Sequence, residues 1–169
     1  MTQNEVENMS DRYAAEHGIP RGPSCSRSEN ISLRFDGDTL IMHGPRGRSY
    51  PAVSGRPNGG KFDYSSGRFG MRSDGPIPPG RYWIKPSEMW SNHWYNLASR
   101  SAWGDHRITI HVFPGTETYG RGGFFIHGGT HAGSAGCVNL HSRMEDFVRE
   151  LEAATKDSQD CYVPLTVRY

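Results

Sequence analysis

The chain has 169 residues, the size of one ordinary domain, long enough to bury a core and short for two. Its 19 Lys and Arg residues against 18 Asp and Glu give a net charge of +1, which removes the electrostatic case for a dedicated nucleic-acid or anionic-membrane binder. With 21 glycines and 11 prolines it is richer in loop formers than average, yet stays below the roughly 25–30% that marks disorder, so a loop-rich, mainly β domain is expected.

The longest apolar runs, at 122–126 and 40–42, fall far short of the roughly 18 residues that span a bilayer. The start, Met1-Thr2-Gln3-Asn4-Glu5, has neither the basic opening nor the apolar stretch of a secretory signal. The expectation is a protein made in the cytoplasm that leaves it, if at all, by another route. Three cysteines, Cys25, Cys137 and Cys161, are too few for a disulfide scaffold and are not spaced as Cys-x-x-Cys metal clips. If Cys137 keeps its thiol, Cys25 and Cys161 could join the N-terminal segment to the C-terminal end in an oxidising compartment; two buried reduced thiols are the other reading.

Residues 1–29 carry serines and prolines with little apolar periodicity and read as an N-terminal extension or docked arm ahead of a main domain over 30–169. Ile31, Leu33 and Phe35 alternate with polar residues, and Asp36-Gly37-Asp38 supplies a turn before residues 39–43, which predicts a β-hairpin. Further short β-prone runs, at 82–85 and 107–113 among others, are separated by Gly, Pro and Asn clusters, the pattern of a sandwich or open barrel. Ser142 and Glu145 fit a capping box, and Met144, Phe147, Val148 and Leu151 then fall at i, i+3, i+4 and i+7, predicting a helix over 143–154. Residues 162–169 alternate as a last strand, where Pro164 suits an edge or a strand start.

The chemistry-bearing stretch is residues 124–140, FFIHGGTHAGSAGCVNL. A buried strand over 124–126 delivers His127 at its end, and a loop of small residues brings the chain back to Cys137. Glycines such as Gly128 and Gly129 leave room for close approach of a substrate to backbone. A lone cysteine is ordinarily a small buried hydrophobe. Here the flanking glycines and a histidine ten residues away suggest a nucleophile and its base, since a thiol of pKa near 8.5 gains nucleophilicity when an imidazole takes its proton. The N–H groups of Gly136 and Cys137, with the Ser134 hydroxyl nearby, are candidate oxyanion donors, which points to cysteine acyl transfer. The spacing His127, His131, Cys137, His141 is also zinc-compatible in ligand type, although the glycines resist a helix there and no second cysteine completes a common pattern.

His127 followed by Ser134-Ala135-Gly136-Cys137-Val138-Asn139 resembles the active-site signature of L,D-transpeptidase catalytic domains, a His, a spacer, then Ser/Thr-His-Gly-Cys-hydrophobic-Asn or Arg. Pro78-Pro79-Gly80-Arg81-Tyr82 resembles the upstream Pro-x-Gly-x-aromatic stretch of that family, and with residues 49–55 the resemblance covers about 30–155. Two departures, Ala135 in place of the His and a short spacer, make the chain more similar to the type VI secretion L,D-transpeptidase effectors, antibacterial toxins delivered into a rival's periplasm.

The resemblance implies a mainly β, L,D-transpeptidase-like β-sandwich or open barrel with one helix after the catalytic Cys137, no cofactor, and action on peptidoglycan stem tetrapeptides. Cys137 would attack the carbonyl of the third stem residue and release D-Ala, leaving a thioacyl enzyme for water, a free D-amino acid or another stem's amine to resolve. His127 would be the base, Ser134 and Gly136 would shape the oxyanion side, and a backbone carbonyl or another residue would orient His127. Arg121, then Arg107, are the candidate anchors for the substrate carboxylates, with Gly128, Gly129 and Asn139 beside them. His111 could flank the site, and Trp90, Trp94, Tyr95 and Trp103 could support glycan or peptide binding, each with a structural role as the alternative. A cognate immunity protein and a carrier or adaptor would be its partners. The competing classes are a non-catalytic cell-wall or tail-like binding module and a zinc-dependent hydrolase.

Overall fold

In the computed structural model of the chain, residues 18–20, 22–25, 30–45, 47–91, 106–129, 135–155 and 161–169 are described. Among the described residues eleven strands form two mixed sheets. The first begins with the expected hairpin, β1 (Ser32–Phe35) and β2 (Thr39–His43), paired antiparallel. Asp36 makes the turn by accepting the Asp38 and Thr39 N–H groups on its carboxylate at 3.0 and 2.8 Å. The alternation read from the sequence is realised, with Leu33, Phe35, Leu40 and Met42 buried.

The chain continues through β3 (Arg48–Pro51) and β4 (Val53–Ser54), then β5 (Gly80–Ile84), β6 (Trp90–Ser91), β7 (His106–Thr109), β8 (His111–Val112), β9 (Phe125–His127), β10 (Val138–Asn139) and β11 (Val163–Val167). The orders are β3-β2-β1-β11-β5-β8 and β4-β10-β9-β7-β6. The sheets share a single core, and two one-residue corners carry the chain between them: Ala52 between β3 and β4, and Ile110 between β7 and β8. What reads in sequence as a single strand over 107–113 is therefore two strands in different sheets.

Of the two places expected to suit Pro164, the structure takes the strand start and not the edge: β11 lies between β1 and β5, and Pro164 is the second residue of the strand, one position before the ladder to β1 begins at Leu165. One other expectation is revised. The helix α1 (Met144–Thr155) follows a 3-10 turn over His141–Arg143, so Ser142 lies inside helical backbone and Leu140 takes the N-cap position. Its expected stripe, Met144, Phe147, Val148 and Leu151, is buried, with Phe147 edge-on to Tyr50 of β3 at 5.6 Å. Each such side chain contributes about 1.5–3 kcal/mol on burial.

The described part of the N-terminal segment is docked. Cys25 and Cys161 form a disulfide across 136 residues of sequence, the first of the two readings of these cysteines. Backbone bonds from Cys25 N–H to Tyr162 O (2.7 Å) and Tyr162 N–H to Pro23 O (3.0 Å) lay the arm along the start of β11.

Candidate active site

The site is built on the five-stranded sheet. β9 and β10 run parallel with His127 opposite Asn139 and Ile126 opposite Val138, while β7 pairs antiparallel with Arg107 opposite His127 and Ile108 opposite Ile126. Successive strand residues face opposite sides. Ile108, Ile126 and Val138 therefore point into the core, and Asn139, His127, Arg107 and its partner Trp90 form a row on the other face. Cys137 lies in the turn that leads into β10, directly before Val138, the residue that pairs with Ile126 one position ahead of His127. A parallel strand pair thus carries the histidine at the end of one strand and the cysteine at the entry of the other.

His127 is 1% exposed, and its Nδ1–H donates to the carbonyl of the next residue, Gly128, at 2.5 Å. That bond supplies the orientation that no side chain in the signature provides, and it makes Nε2 the basic nitrogen. Burial, opposed by this hydrogen bond and reinforced by the charges of His141 and Arg107, holds the imidazole below the usual histidine pKa, so it is neutral at pH 7. Gly128 is required by contact: a Cβ there would stand 2.8 Å from both the His141 carbonyl oxygen and Met144 Cβ. Gly129 adopts φ +112.

Cys137 is 2% exposed and keeps its thiol, with Sγ 4.0 Å from Gly123 O. Gly136 before it has φ +73, and a Cβ would stand 2.7 Å from the Phe124 ring. Its N–H donates to Gly75 O at 3.0 Å, so the amide expected to face an oxyanion is directed into the protein, where it docks the loop over 69–76 against the Cys137 turn. Asn139 is fully buried and its Oδ1 accepts the His141 N–H at 2.8 Å, while the Leu140 N–H bonds the His127 carbonyl at 2.9 Å. The side chain expected at the substrate instead fixes the turn behind His127.

The two arginines part company. Arg121 is 8% exposed and its guanidinium donates to the carbonyls of Phe69 and Pro76 at 2.7 Å each and of Gly75 at 2.8 Å, closing the same loop. Burial lowers its pKa, an effect that the nearby Tyr82, Tyr169 and Cys137 oppose. Arg107 is on the site face beside His127, its guanidinium 4.4 Å from the Trp90 ring and 5.2 Å from the Phe125 ring. His111 does not flank the site: it lies in the other sheet, stacked on Trp83 at 4.0 Å and 2.7 Å from Glu88. Ser134, His131, Trp94, Tyr95 and Trp103 lie outside the described residues. Among the described residues no three His, Cys, Asp or Glu side chains are gathered to hold a metal, so His127, Cys137 and His141 do not form such a group.

The fold is a mainly β domain of two mixed sheets, with His127 ending one strand, Cys137 directly before its parallel neighbour and a helix after them. Residues 54–163, more than half of the chain, match the family model described as the Tlde1 domain, and the chain belongs to that family of type VI secretion L,D-transpeptidase effectors. It is a family of enzymes that modify peptidoglycan, are secreted to the periplasm of a target cell and have cognate immunity proteins. No curated protein matches the chain. No helix among the described residues is long and apolar enough to cross a membrane.

Proposed function

We propose that the protein is a cysteine L,D-transpeptidase or L,D-carboxypeptidase that acts on the tetrapeptide stems of peptidoglycan, with Cys137 as nucleophile and His127 as base. The observation that carries this reading is the placement of the free thiol of Cys137 directly before β10 and of His127 at the end of its parallel neighbour β9, with Nδ1 of the histidine committed to Gly128 O. A neutral imidazole with its Nε2 lone pair available for a proton is the form a general base needs.

In the proposed sequence the Cys137 thiol proton passes to His127 Nε2, and the sulfur bonds to the carbonyl carbon of the third stem residue. The carbonyl electron pair moves to oxygen, against the Cys137 amide and the Ser134 hydroxyl. As the pair returns, the C–N bond to D-Ala breaks and His127 gives its proton to the departing amine. The thioester then yields to water, to a free D-amino acid or to a stem amine, which His127 deprotonates in turn, regenerating the thiol. Arg107 is assigned to a substrate carboxylate, because it stands beside His127 on the face where a stem would lie and two aromatic rings hold its guanidinium in place. Residues 30–169 would carry this activity and residues 1–29 would serve delivery. Trimming or capping donor stems would deprive a target cell's cross-linking enzymes of substrate.

Mass spectrometry of tetrapeptide muropeptides incubated with the wild type and with Cys137→Ala, with and without D-amino acid, tests the reading. Loss or exchange of the terminal D-Ala with the wild type alone is expected. Unchanged activity in Cys137→Ala would overturn the thiol mechanism, and an unaltered substrate would favour a binding module.

A further inference from the structure

Among the described residues the exposed large apolar side chains are Met71, Tyr119 and Tyr169, and the Phe69 ring links the two tyrosines, at 6.4 Å from Tyr119 and 5.8 Å from Tyr169. Tyr169 serves the fold: its ring stacks on Tyr64 at 4.4 Å and its hydroxyl donates to Ile77 O at 2.5 Å. Tyr119 and Met71 are each 48% exposed. Tyr119 also has φ +57, a left-handed conformation unfavourable for an aromatic residue, held by its N–H bond to Glu117 at 2.6 Å and by the Arg121 N–H bond to Thr118 O at 3.0 Å. Met71 follows Gly70, where a Cβ would stand 3.8 Å from the Tyr119 side chain, and a backbone outlier that turns a large ring toward solvent beside such a segment marks an interaction surface.

The surface is continuous with the candidate site. From Tyr119 the chain runs through Gly120, Arg121 and Gly122 to Gly123, whose carbonyl lies 4.0 Å from Cys137 Sγ. Arg121 turns inward, while Gly122 and Gly123 are exposed and a Cβ on either would meet nothing within 4 Å. The path from Tyr119 to the thiol is therefore a floor of bare backbone. The turn closed by the Arg121 N–H bond to Thr118 O keeps these four steps shorter than the about 13–14 Å of an extended chain, within reach of a stem whose three residues before the reacting carbonyl span at most about 10–11 Å ahead of the short linker to the ring.

We propose that Tyr119 and Met71, backed by Phe69, form a subsite for a sugar ring of the glycan strand, holding it while its stem lies along Gly122 and Gly123 with the reacting carbonyl at Cys137. This rests on the stem-peptide reading above. The surroundings favour a sugar over an apolar partner. The Arg72 guanidinium reaches to within 3.3 Å of where a Gly120 Cβ would stand, and the exposed Glu117 carboxylate accepts the Tyr119 N–H. An apolar occupant would strip water from both charges, whereas a sugar offers carbon–hydrogen faces to the ring and hydroxyls to the charges.

The test compares turnover of a free tetrapeptide with that of the same tetrapeptide on its disaccharide, by wild type, Tyr119→Ala and Tyr119→Phe. In Tyr119→Ala the preference for the disaccharide-linked substrate, as a ratio of kcat/KM values, should fall about fivefold to tenfold through KM, with Tyr119→Phe keeping it. Equal losses on both substrates would assign Tyr119 to folding, and no loss on either would leave the patch to a protein partner; both overturn the proposal. If the wild type turns over neither substrate, the catalytic reading fails, and the subsite is then judged by binding of a stem-free oligomer of β-1,4-linked N-acetylglucosamine to Cys137→Ala. Binding abolished by adding Tyr119→Ala supports the subsite, and no binding overturns it.

Discussion

The Nδ1–H of His127 donates to the carbonyl of its own neighbour, Gly128, at 2.5 Å, and Gly128 in turn has no room for a side chain because the His141 carbonyl oxygen and Met144 Cβ stand 2.8 Å from where its Cβ would be. The first turn of the 3-10 segment before α1 thus presses on the residue that orients the imidazole. The His127 carbonyl is tied to the same segment by the Leu140 N–H, and Asn139 fixes its turn through the His141 N–H. The imidazole is held by backbone from two directions.

Gly128→Ala should therefore cost more in catalysis than in folding. Overpacking by one methyl group costs about 1–3 kcal/mol, which urea unfolding measures. The relief available is a shift of the Gly128 peptide, which moves the acceptor of Nδ1, and a misplacement of about 1 Å in a reacting group lowers kcat on the order of 10²-fold. A variant with lowered stability and wild-type kcat would show that the Gly128 carbonyl does not set the imidazole.

The depressed pKa of His127 fixes a pH window. A general base acts while neutral, so kcat/KM should hold as pH falls through 6.5 and decline only below it. Stability has the same sign: below about 6.5 the unfolded chain protonates this histidine while the folded chain does not, so stability is full above that value and is lost as pH falls toward the folded pKa. Urea unfolding of the wild type and His127→Gln across pH 7 to 5 checks it, with the wild type losing stability relative to the variant. An acid limb with its midpoint above 6.5 would contradict the burial argument.

Arg121 joins three carbonyls at 2.7, 2.7 and 2.8 Å, and the loop it closes is the one whose Gly75 carbonyl receives the Gly136 N–H beside Cys137. Arg121→Ala leaves three acceptors without their charged donor, and the expected loss is about 3 kcal/mol or more. A thermal shift of several degrees downward is the readout. A variant of unchanged stability and raised KM would instead return Arg121 to the role of carboxylate anchor.

The difference between Arg121 and Arg107 shows where sequence reading stops. The β1–β2 hairpin and the apolar stripe of α1 are local signals, set by alternation and helical period. The partners of Arg121 are carbonyls 45 to 52 residues away, and a carbonyl carries no residue identity for a pattern to find. Arg107 is placed by register against His127 and by Trp90 across the strand, which needs the pairing of β6, β7 and β9. The same holds for Ala52 and Ile110, apolar residues that give no hint of a change of sheet, and for Pro164, whose tolerance depends on where the β1 ladder begins. The left-handed Tyr119 sits in a Thr-Glu-Thr-Tyr-Gly stretch whose only visible signal is a turn.

The disulfide sets a last expectation. Cys25 and Cys161 are both fully buried and close 136 residues of chain, which includes every strand before β11. In the chain-entropy account a loop of that length is worth about 5 kcal/mol through the unfolded state. Cys137 takes no part in it, so oxidation of this pair leaves the candidate nucleophile as a thiol. Cys25→Ser with Cys161→Ser should therefore lower the urea midpoint by an amount that reductant reproduces in the wild type, while thiol titration of the unfolded, unreduced wild type counts one reactive cysteine. Three reactive thiols in that titration would show the pair to be reduced, and an unchanged midpoint would show that the N-terminal arm is held without the disulfide, by bonds such as those to Tyr162 and from Trp83 to the Gly18 carbonyl.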